Sequence, residues 1–567
     1  MFLLNPRHND RPYPDPRSRD IMARTIAFFE KKGLDRLKED YNGAVWYADF
    51  LEFCKSEGIL ASMMTPAKHG KPGENAVWDS WRVCGFAEVL GFFGLCYWYT
   101  YQVSVLGIGP IWMSRNAAVQ AKAKALLDEG AIFAFGLSEK EHGADIYSTD
   151  MVVTRLPDGS YQASGGKYYI GNANQAAMVS TFGRMADTGE YIFFVANSQH
   201  PNYELVKNTV YSQNYVAEYR LNAYPFTEAE VLHRGDDAWD AALNTINVGK
   251  YNLGWASIGM CTHAFYEAID HASNRHLYGK TVTDFAHVRQ LFTDAYTRLV
   301  AMKLFALRAA DYMKTANLED RRYLLFNPMV KMKVTTQGED VINLLWDVIA
   351  AKGFEKEPFF AMAAADIRCL PKLEGTVHVN MALIIKFMAN YFFNPKSYPE
   401  VPRRDEGSDD GFLFNQGPTK GLGSIQFHDY QAAYNSYDLP NLAVFKQQIA
   451  LFKEMAVKAP PSKAQASDID FLLTAGEMFT LVVYGQLILE NARIYAMDEA
   501  LIDQIFDFMV RDFSKFALQL YSKPSSSEAQ MAQCLKMIKK PVVDEPRYEA
   551  VWKHHVQAMK GQYTMPR

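Results

Sequence analysis

Apolar positions recur at three- and four-residue spacing along most of the chain, which predicts helices. Residues 20–32 and 44–56 carry this spacing near the N-terminus, and a further helix starts at Asn116 and stops at Gly130. Residues 89–114 hold no charged side chain, a length sufficient to cross a bilayer. They also hold Thr100, Gln102 and the cluster Gly107-Ile108-Gly109-Pro110, which predicts a break near the end of the segment. The expectation is a buried core helix followed by a loop.

The pattern changes after Gly130. Ile132-Phe133-Ala134-Phe135 is a short apolar run, and Val152-Val153-Thr154, Pro157-Asp158-Gly159 and Tyr161 read as a hairpin. Residues 167–170, 178–182 and 191–195 are further strand candidates, the last two separated by Thr188-Gly189. Helical spacing returns near Asp240 and continues to about Tyr391, with Val288, Leu291, Phe292, Ala295, Leu299 and Met302 on one stripe. Residues 394–429 hold Pro395, Pro399, Pro402, Asp405-Glu406 and Asp409-Asp410 and read as a long loop. Residues 441–457, 469–495 and 499–521 read as helices. The last presents Ile502, Ile505, Phe506, Met509, Phe513, Phe516, Ala517 and Leu520 on one face, the mark of internal packing rather than of a membrane-surface helix. The order is therefore mostly α with a central β domain: helices (1–130), a middle β domain (131–240), a helical bundle (241–395), a linker (396–436) and a C-terminal helical extension (437–567). Strands and helices do not alternate throughout, so a Rossmann pattern is excluded. Walker A, GxSxG and HExxH sequences are absent.

At roughly 150 residues per domain, 567 residues predict three to four domains. A net charge of −5 makes a general nucleic-acid binder a poor reading. Cys54, Cys84, Cys96, Cys261, Cys369 and Cys534 are scattered, without CxxC or metal-site spacing, which fits free thiols in a reducing compartment and predicts no metal. Near the N-terminus Arg7, Arg11, Arg17 and Arg19 are interleaved with Asp10, Asp15 and Asp20, against a transit peptide, and no apolar core of a signal peptide follows. The expected location is the bacterial cytoplasm or another soluble reducing compartment.

Three segments carry candidate chemistry. Phe135-Gly-Leu-Ser138-Glu139-Lys140-Glu141-His142-Gly143-Ala144-Asp145 follows an apolar strand and can present N–H groups to an anion or a polar ring edge; alone, it also reads as an ordinary polar loop. Arg275-His276-Leu277-Tyr278-Gly279-Lys280 ends a helical segment and places an arginine where it could grip a phosphate, or simply meet solvent. In the third, Asp366 to Thr376, Glu374 precedes Gly375-Thr376; partial burial would move such a carboxylate toward a general-base range, while Thr376 could equally be a helix cap.

At this order and spacing, the three segments resemble the acyl-CoA dehydrogenase family over residues 20 to 395. Pro66-Ala-Lys-His-Gly70, Gly165-Gly-Lys167-Tyr168-Tyr169-Ile170-Gly171-Asn172 and Asn247-Val-Gly249-Lys250-Tyr251 resemble further family landmarks. The resemblance implies an N-terminal helical domain, a middle β-barrel and a C-terminal helical bundle. It implies FAD and oxidation of the α–β bond of an acyl-CoA to the trans-2-enoyl-CoA, as in fatty acid β-oxidation. Glu374 would be the base. Phe135, Leu137, Ser138, Gly143, Tyr169, Gly171, Gly353, Thr376 and His378 would approach FAD, with Arg275 and Tyr278 reaching that of a neighbouring subunit. Ala144, Lys250 and Gly375 would lie near the substrate. The expected partners are acyl-CoA and an electron-transfer flavoprotein or similar acceptor, with no nucleic acid. The C-terminal helices resemble the layout of very-long-chain members, which implies a homodimer; association with a membrane surface is not predicted.

Departures mark a divergent member. The family's Thr-Glu-Pro-Gly-Ala-Gly-Ser-Asp is here Ser-Glu-Lys-Glu-His-Gly-Ala-Asp, its Trp is Tyr169, its flavin-facing hydroxyl is replaced by Gly171, and its Gly-Gly turn is Ala350-Ala351. The alternatives are a flavin oxidase or monooxygenase on the same fold, and a non-catalytic scaffold.

Overall fold

The computed structural model describes residues 2–9, 12–71 and 76–567. Asp10 and Arg11, counted above in the terminal charge pattern, lie outside the described residues. The chain divides into two compact units. A sheet unit takes Asp10–Asn252, Asp405–Lys420 and Met565–Arg567; a helical unit takes Met1–Asn9, Leu253–Arg404 and Gly421–Thr564.

The sheet unit opens with α1 (Pro16–Lys32), α2 (Leu34–Asn42), α3 (Ala48–Ser56), α4 (Ile59–Met64), α5 (Ser80–Phe93), α6 (Leu95–Met113) and α7 (Ala117–Asp128). The side chain of Asn116 caps α7 by accepting from Val119 N, 3.1 Å away. The apolar stretch 89–114 is not one span: α5 ends at Gly94 and α6 begins again at Leu95. Every residue from Leu95 to Trp112 is buried.

The break expected at Gly107–Pro110 does not occur, and α6 runs through it to Met113. Gly107 and Gly109 serve close packing instead. A Cβ on Gly107 would stand 2.4 Å from Ala134 N, and one on Gly109 would stand 2.9 Å from the Thr245 methyl. Pro110 lies in the last turn of the helix, and its carbonyl oxygen is 2.8 Å from His233 Nε2.

Eight strands follow: β1 (Phe133–Gly136), β2 (Val152–Arg155), β3 (Tyr161–Gly171), β4 (Met178–Met185), β5 (Tyr191–Ala196), β6 (Tyr203–Asn208), β7 (Val216–Phe226) and β8 (Val231–Arg234). They form one sheet in the order β6-β7-β3-β2-β4-β5-β8, with β1 added to β4 in parallel. The hairpin predicted around Pro157-Asp158-Gly159 joins β2 to β3. The strand expected at 167–170 lies in the second half of β3, whose pairing with β7 shifts register between Ala163 and Gly165 and again between Lys167 and Ile170. β6, β7 and β8 lie beyond the strands expected from the sequence; β6 is almost entirely exposed and offers no apolar alternation. Ala134, Val153, Ala163, Ile170, Val179, Phe194 and Tyr219 belong to the buried cluster of this sheet. Helix α8 (Gly235–Lys250) leaves β8.

The helical unit contains α9 (Asn252–Asn274), the hairpin β9 (His276–Leu277) and β10 (Lys280–Thr281), α10 (Ala286–Thr315), α11 (Tyr323–Met329), α12 (Thr335–Ile349), α13 (Phe359–Asp366), α14 (Val377–Ile384) and α15 (Met388–Phe393). It continues with α16 (Gln431–Tyr434), α17 (Pro440–Lys458), α18 (Ile469–Ile494), α19 (Glu499–Tyr521), α20 (Glu528–Met537) and α21 (Glu545–Val551). The predicted stripe of α19 is buried from Ile502 to Leu520, apart from the half-buried Phe516. Arg298 of α10 grips Asp512 of α19 through two N–H donors at 2.7 and 2.9 Å, and Arg511 grips Asp294 at 2.7 and 3.0 Å. Among the described residues, α18 is long and apolar enough to cross a membrane, and 83% of its most apolar window is buried in the protein.

The loop at 394–429 is tied down rather than slack. In the sheet unit, Asp409 Oδ1 accepts from Ala67 N (2.8 Å), and Asp410 Oδ2 accepts from Ser80 N (2.5 Å) at the start of α5. In the helical unit, Arg308 donates to Val401 O (2.8 Å), and His428 Nε2 lies 2.8 Å from Glu490 Oε1.

Candidate functional site

In the sheet unit, β1 delivers the chain to the Ser138–Asp145 segment. Phe135 is half-buried and stacks on Phe193, with 5.9 Å between ring centres. Leu137 and Ser138 are half-buried, and Gly143 and Ala144 are exposed. Ser138 is fastened twice to β3: its hydroxyl donates to Tyr168 O (2.8 Å), and Tyr168 N donates to Ser138 O (3.0 Å).

Beneath this turn Glu139 and Lys167 form a buried ion pair at 2.7 Å, with side chains 5% and 0% exposed. Lys167 Nζ also donates to Leu137 O at 3.0 Å. Glu139 accepts from Thr149 Oγ1 (2.5 Å) and Asp150 N (2.7 Å). Burial pulls the Lys167 ammonium down to about 8, although Glu139 opposes the shift. Burial acts to raise the Glu139 carboxyl, and Lys167, Thr149 and the Asp150 amide together outweigh it and hold the group below the usual carboxylate range. The altered residues close the loop in their own way: His142 O accepts from Glu139 N (3.2 Å), and His142 Nε2 lies 3.0 Å from Asp150 Oδ2.

Tyr169 is 60% exposed and adopts a left-handed φ of 62°. Gly171 is buried; a Cβ there would stand 2.7–2.9 Å from Val103 and Tyr99 of α6, so helix packing alone requires glycine. The next residue, Asn172, was not singled out from the sequence. Its amide donates to Thr100 O, Ser104 Oγ and Phe133 O (2.9–3.2 Å), and its oxygen accepts from Thr100 Oγ1 (2.9 Å). It locks the end of β3 to both α6 and β1. Lys250 is buried at the end of α8, whose Gly249 carbonyl accepts from Gln102 (2.9 Å).

The remaining candidates lie in the helical unit. Arg275 directly precedes the β9–β10 hairpin, whose turn holds Tyr278 (φ 52°) and Gly279 (φ 79°). Arg275 is exposed; its carbonyl accepts from Val282 N (2.9 Å), and its side chain has no hydrogen bond or ion pair among the described residues; Tyr278 is 94% exposed. Gly353 is buried in a short 3₁₀ turn, where a Cβ would stand 2.9 Å from Trp346 Nε1.

Glu374 is half-buried at φ 52°, followed by Gly375 at φ 88° and by Thr376, whose side chain caps α14. The helix-cap reading of Thr376 holds, and Glu374 is an acid near a helix start, on a turn that favours glycine geometry. Thr376 and His378 are exposed and Gly375 is half-buried. The Gly375 carbonyl accepts from Lys331 and Asn380, two residues not picked out from the sequence.

Residues 236–389 match the family model described as acyl-CoA dehydrogenase, C-terminal domain. A probable short/branched chain specific acyl-CoA dehydrogenase of Dictyostelium discoideum is 20% identical over 288 residues, 49% of this chain and 69% of that protein. Other curated matches take in as little as 39% of the relative's length. Among solved structures, the FAD-complexed acyl-CoA dehydrogenase from Bacillus anthracis superposes with a TM-score of 0.75 at 14% identity, covering 98% of this chain and 97% of that one. A nitroalkane oxidase complexed with spermine shares the fold over 67% of this chain and 97% of its own, at a TM-score of 0.60 and 15% identity. The matched helical block, the curated relatives and the shared fold converge: residues 236–389 carry an acyl-CoA dehydrogenase C-terminal domain, and the chain as a whole has the fold of a solved acyl-CoA dehydrogenase.

Proposed function

We propose that the protein is an FAD-dependent acyl-CoA dehydrogenase, converting an acyl-CoA thioester to the trans-2-enoyl-CoA with Glu374 as base. The observation that carries this reading is the placement of Glu374. A non-glycine residue held at positive φ is strained by roughly 1–3 kcal/mol and persists where its surroundings over-determine it, as they do at functional sites. Here it holds a half-buried carboxylate just ahead of α14. The α-proton of a thioester is a weak acid, so a base removes it only while the carbonyl oxygen is polarised. Glu374 takes that proton on its carboxylate, and its backbone N–H serves the thioester oxygen. FAD, when bound, supplies the acceptor for the β-hydride.

The chain's donors suit that cofactor. Tyr169 offers an exposed ring on the strand that Ser138 fastens, and Arg275 offers an exposed fork without a protein partner, matched to a pyrophosphate. On this reading Arg275 and Tyr278 serve the FAD of a second copy in a homodimer, and electrons pass to an electron-transfer flavoprotein or similar carrier. Fatty acid β-oxidation is the fitting context.

The test is anaerobic titration of the purified protein with acyl-CoA thioesters of graded length. The flavin band near ~450 nm is expected to bleach, and Glu374→Gln to slow reduction by about 10³-fold or more. A flavin that no acyl-CoA reduces but that turns over with another substrate and oxygen would replace this reading with an oxidase. A protein that takes up no FAD would leave a scaffold.

A further inference from the structure

The stretch from Tyr323 to Ile349 changes winding in its middle. Helix α11 passes into a single π turn, Val330–Val334, before α12 begins. Such turns widen the helix by one residue and gather at functional sites. This one carries Lys331, which is fully buried. The Lys331 carbonyl accepts from the Thr335 hydroxyl at 2.5 Å, so the altered ladder is satisfied locally.

The Lys331 ammonium donates to Pro371 O at 2.6 Å and to Gly375 O at 2.5 Å. Those two carbonyls bracket Lys372, Leu373 and Glu374. The amide of Asn380, itself fully buried, adds a second donor to Gly375 O (3.0 Å) and one to Thr376 O (2.9 Å). A buried ammonium is costly unless its donors are satisfied, and here two backbone oxygens of one turn accept from it. The cation therefore braces residues 371–376, where Glu374 and Gly375 are both left-handed.

We infer that Lys331 is a positioning residue for Glu374. It pins the turn from both ends, so that the carboxylate and the Glu374 N–H are held in one orientation without reorganising during proton removal. This rests on Glu374 being the base. The role predicts a defect in the chemical step with substrate affinity preserved, since a misplaced base costs rate rather than binding.

The experiment compares Lys331→Met, Lys331→Arg and Lys331→Gln with Glu374→Gln. Amide hydrogen exchange of residues 371–380 is measured on the protein without substrate, and flavin reduction by acyl-CoA is measured by anaerobic stopped flow. In Lys331→Met, exchange in this segment is expected to quicken about tenfold while the rest of the chain keeps its protection. Flavin content is expected to hold, the acyl-CoA dissociation constant to stay within about threefold, and the reduction rate to fall about 100-fold. Lys331→Arg should recover part of the rate. If Lys331→Met does not fold, Lys331→Gln, which keeps an uncharged donor, is read the same way with about a tenfold loss. Wild-type reduction and exchange in these variants, with Glu374→Gln inactive, would overturn the role of Lys331. A Glu374→Gln protein that reduces its flavin normally would instead show that the base itself was misassigned.

Discussion

A Cβ on Gly107 would stand 2.4 Å from the amide nitrogen of Ala134, so helix α6 and strand β1 meet backbone to backbone. Neither element can yield by rotating a side chain. Gly107→Ala is expected to cost about 2–3 kcal/mol in urea unfolding. Gly143 has nothing within 4 Å of its Cβ direction, and Gly143→Ala should change stability by less than about 0.5 kcal/mol. A loss of FAD from Gly143→Ala would then report on cofactor contact rather than folding.

The Glu139–Lys167 pair lies under the Ser138 turn and is shut away from solvent. Lys167→Met leaves the Glu139 carboxylate buried without its cation, and about 3–5 kcal/mol of stability is expected to be lost. Adding Glu139→Gln should return part of that loss, because the uncompensated charge is then gone. Equal stability of the single and double variants in a double-mutant cycle would contradict this.

Asn172 joins three elements through four hydrogen bonds made by one amide. Asn172→Ala strands several buried partners and should cost about 2–4 kcal/mol in thermal unfolding. Asn172→Asp keeps the shape but replaces the donating NH₂ with an acceptor, and should be no better.

Glu490 gives the expected acid dependence. Burial acts to raise its carboxyl, but hydrogen bonding from His428 and the charge of Arg308 outweigh it and hold it well below its ordinary value of 4.5. A carboxylate depressed on folding adds stability that is complete above the unfolded value and is lost as pH falls toward the folded one. Unfolding free energy should therefore decline as the pH drops below about 4.5, and Glu490→Gln should flatten that slope while lowering stability at neutral pH. Parallel pH profiles for both proteins would count against it.

What the sequence reveals depends on how local the cause is. The Asn116 cap, the Pro157-Asp158-Gly159 turn and the α19 stripe each sit within one element, and each is readable from spacing. Gly107-Ile108-Gly109-Pro110 misleads because its glycines answer to Ala134 and Thr245, which are remote in the chain. β6 escapes notice because it sits at the edge of the sheet with both faces largely wet. Within the candidate site, the motif residues themselves were legible and their supports were not. Lys331 and Lys333 lie among the apolar residues Met329, Val330, Met332 and Val334, and a cation among apolar neighbours points to a buried acceptor without saying which. Only the folded chain places Lys331 against Gly375, 44 residues away.

The sheet unit is stitched from separate stretches of chain. Besides Asp409 and Asp410 at the start of α5, the tail returns to it: Leu34 N donates to Pro566 O at 2.7 Å, and Arg567 meets Asp35 at 3.1 Å. A fragment cut at residue 389, where the match to the family model ends, would thus lack parts of its own sheet unit. It would leave the Ser80 amide without its carboxylate and α2 without the carbonyl that meets its first amide. During synthesis the sheet unit likewise stays incomplete until residues 565–567 emerge, so the final packing of α2 waits on them.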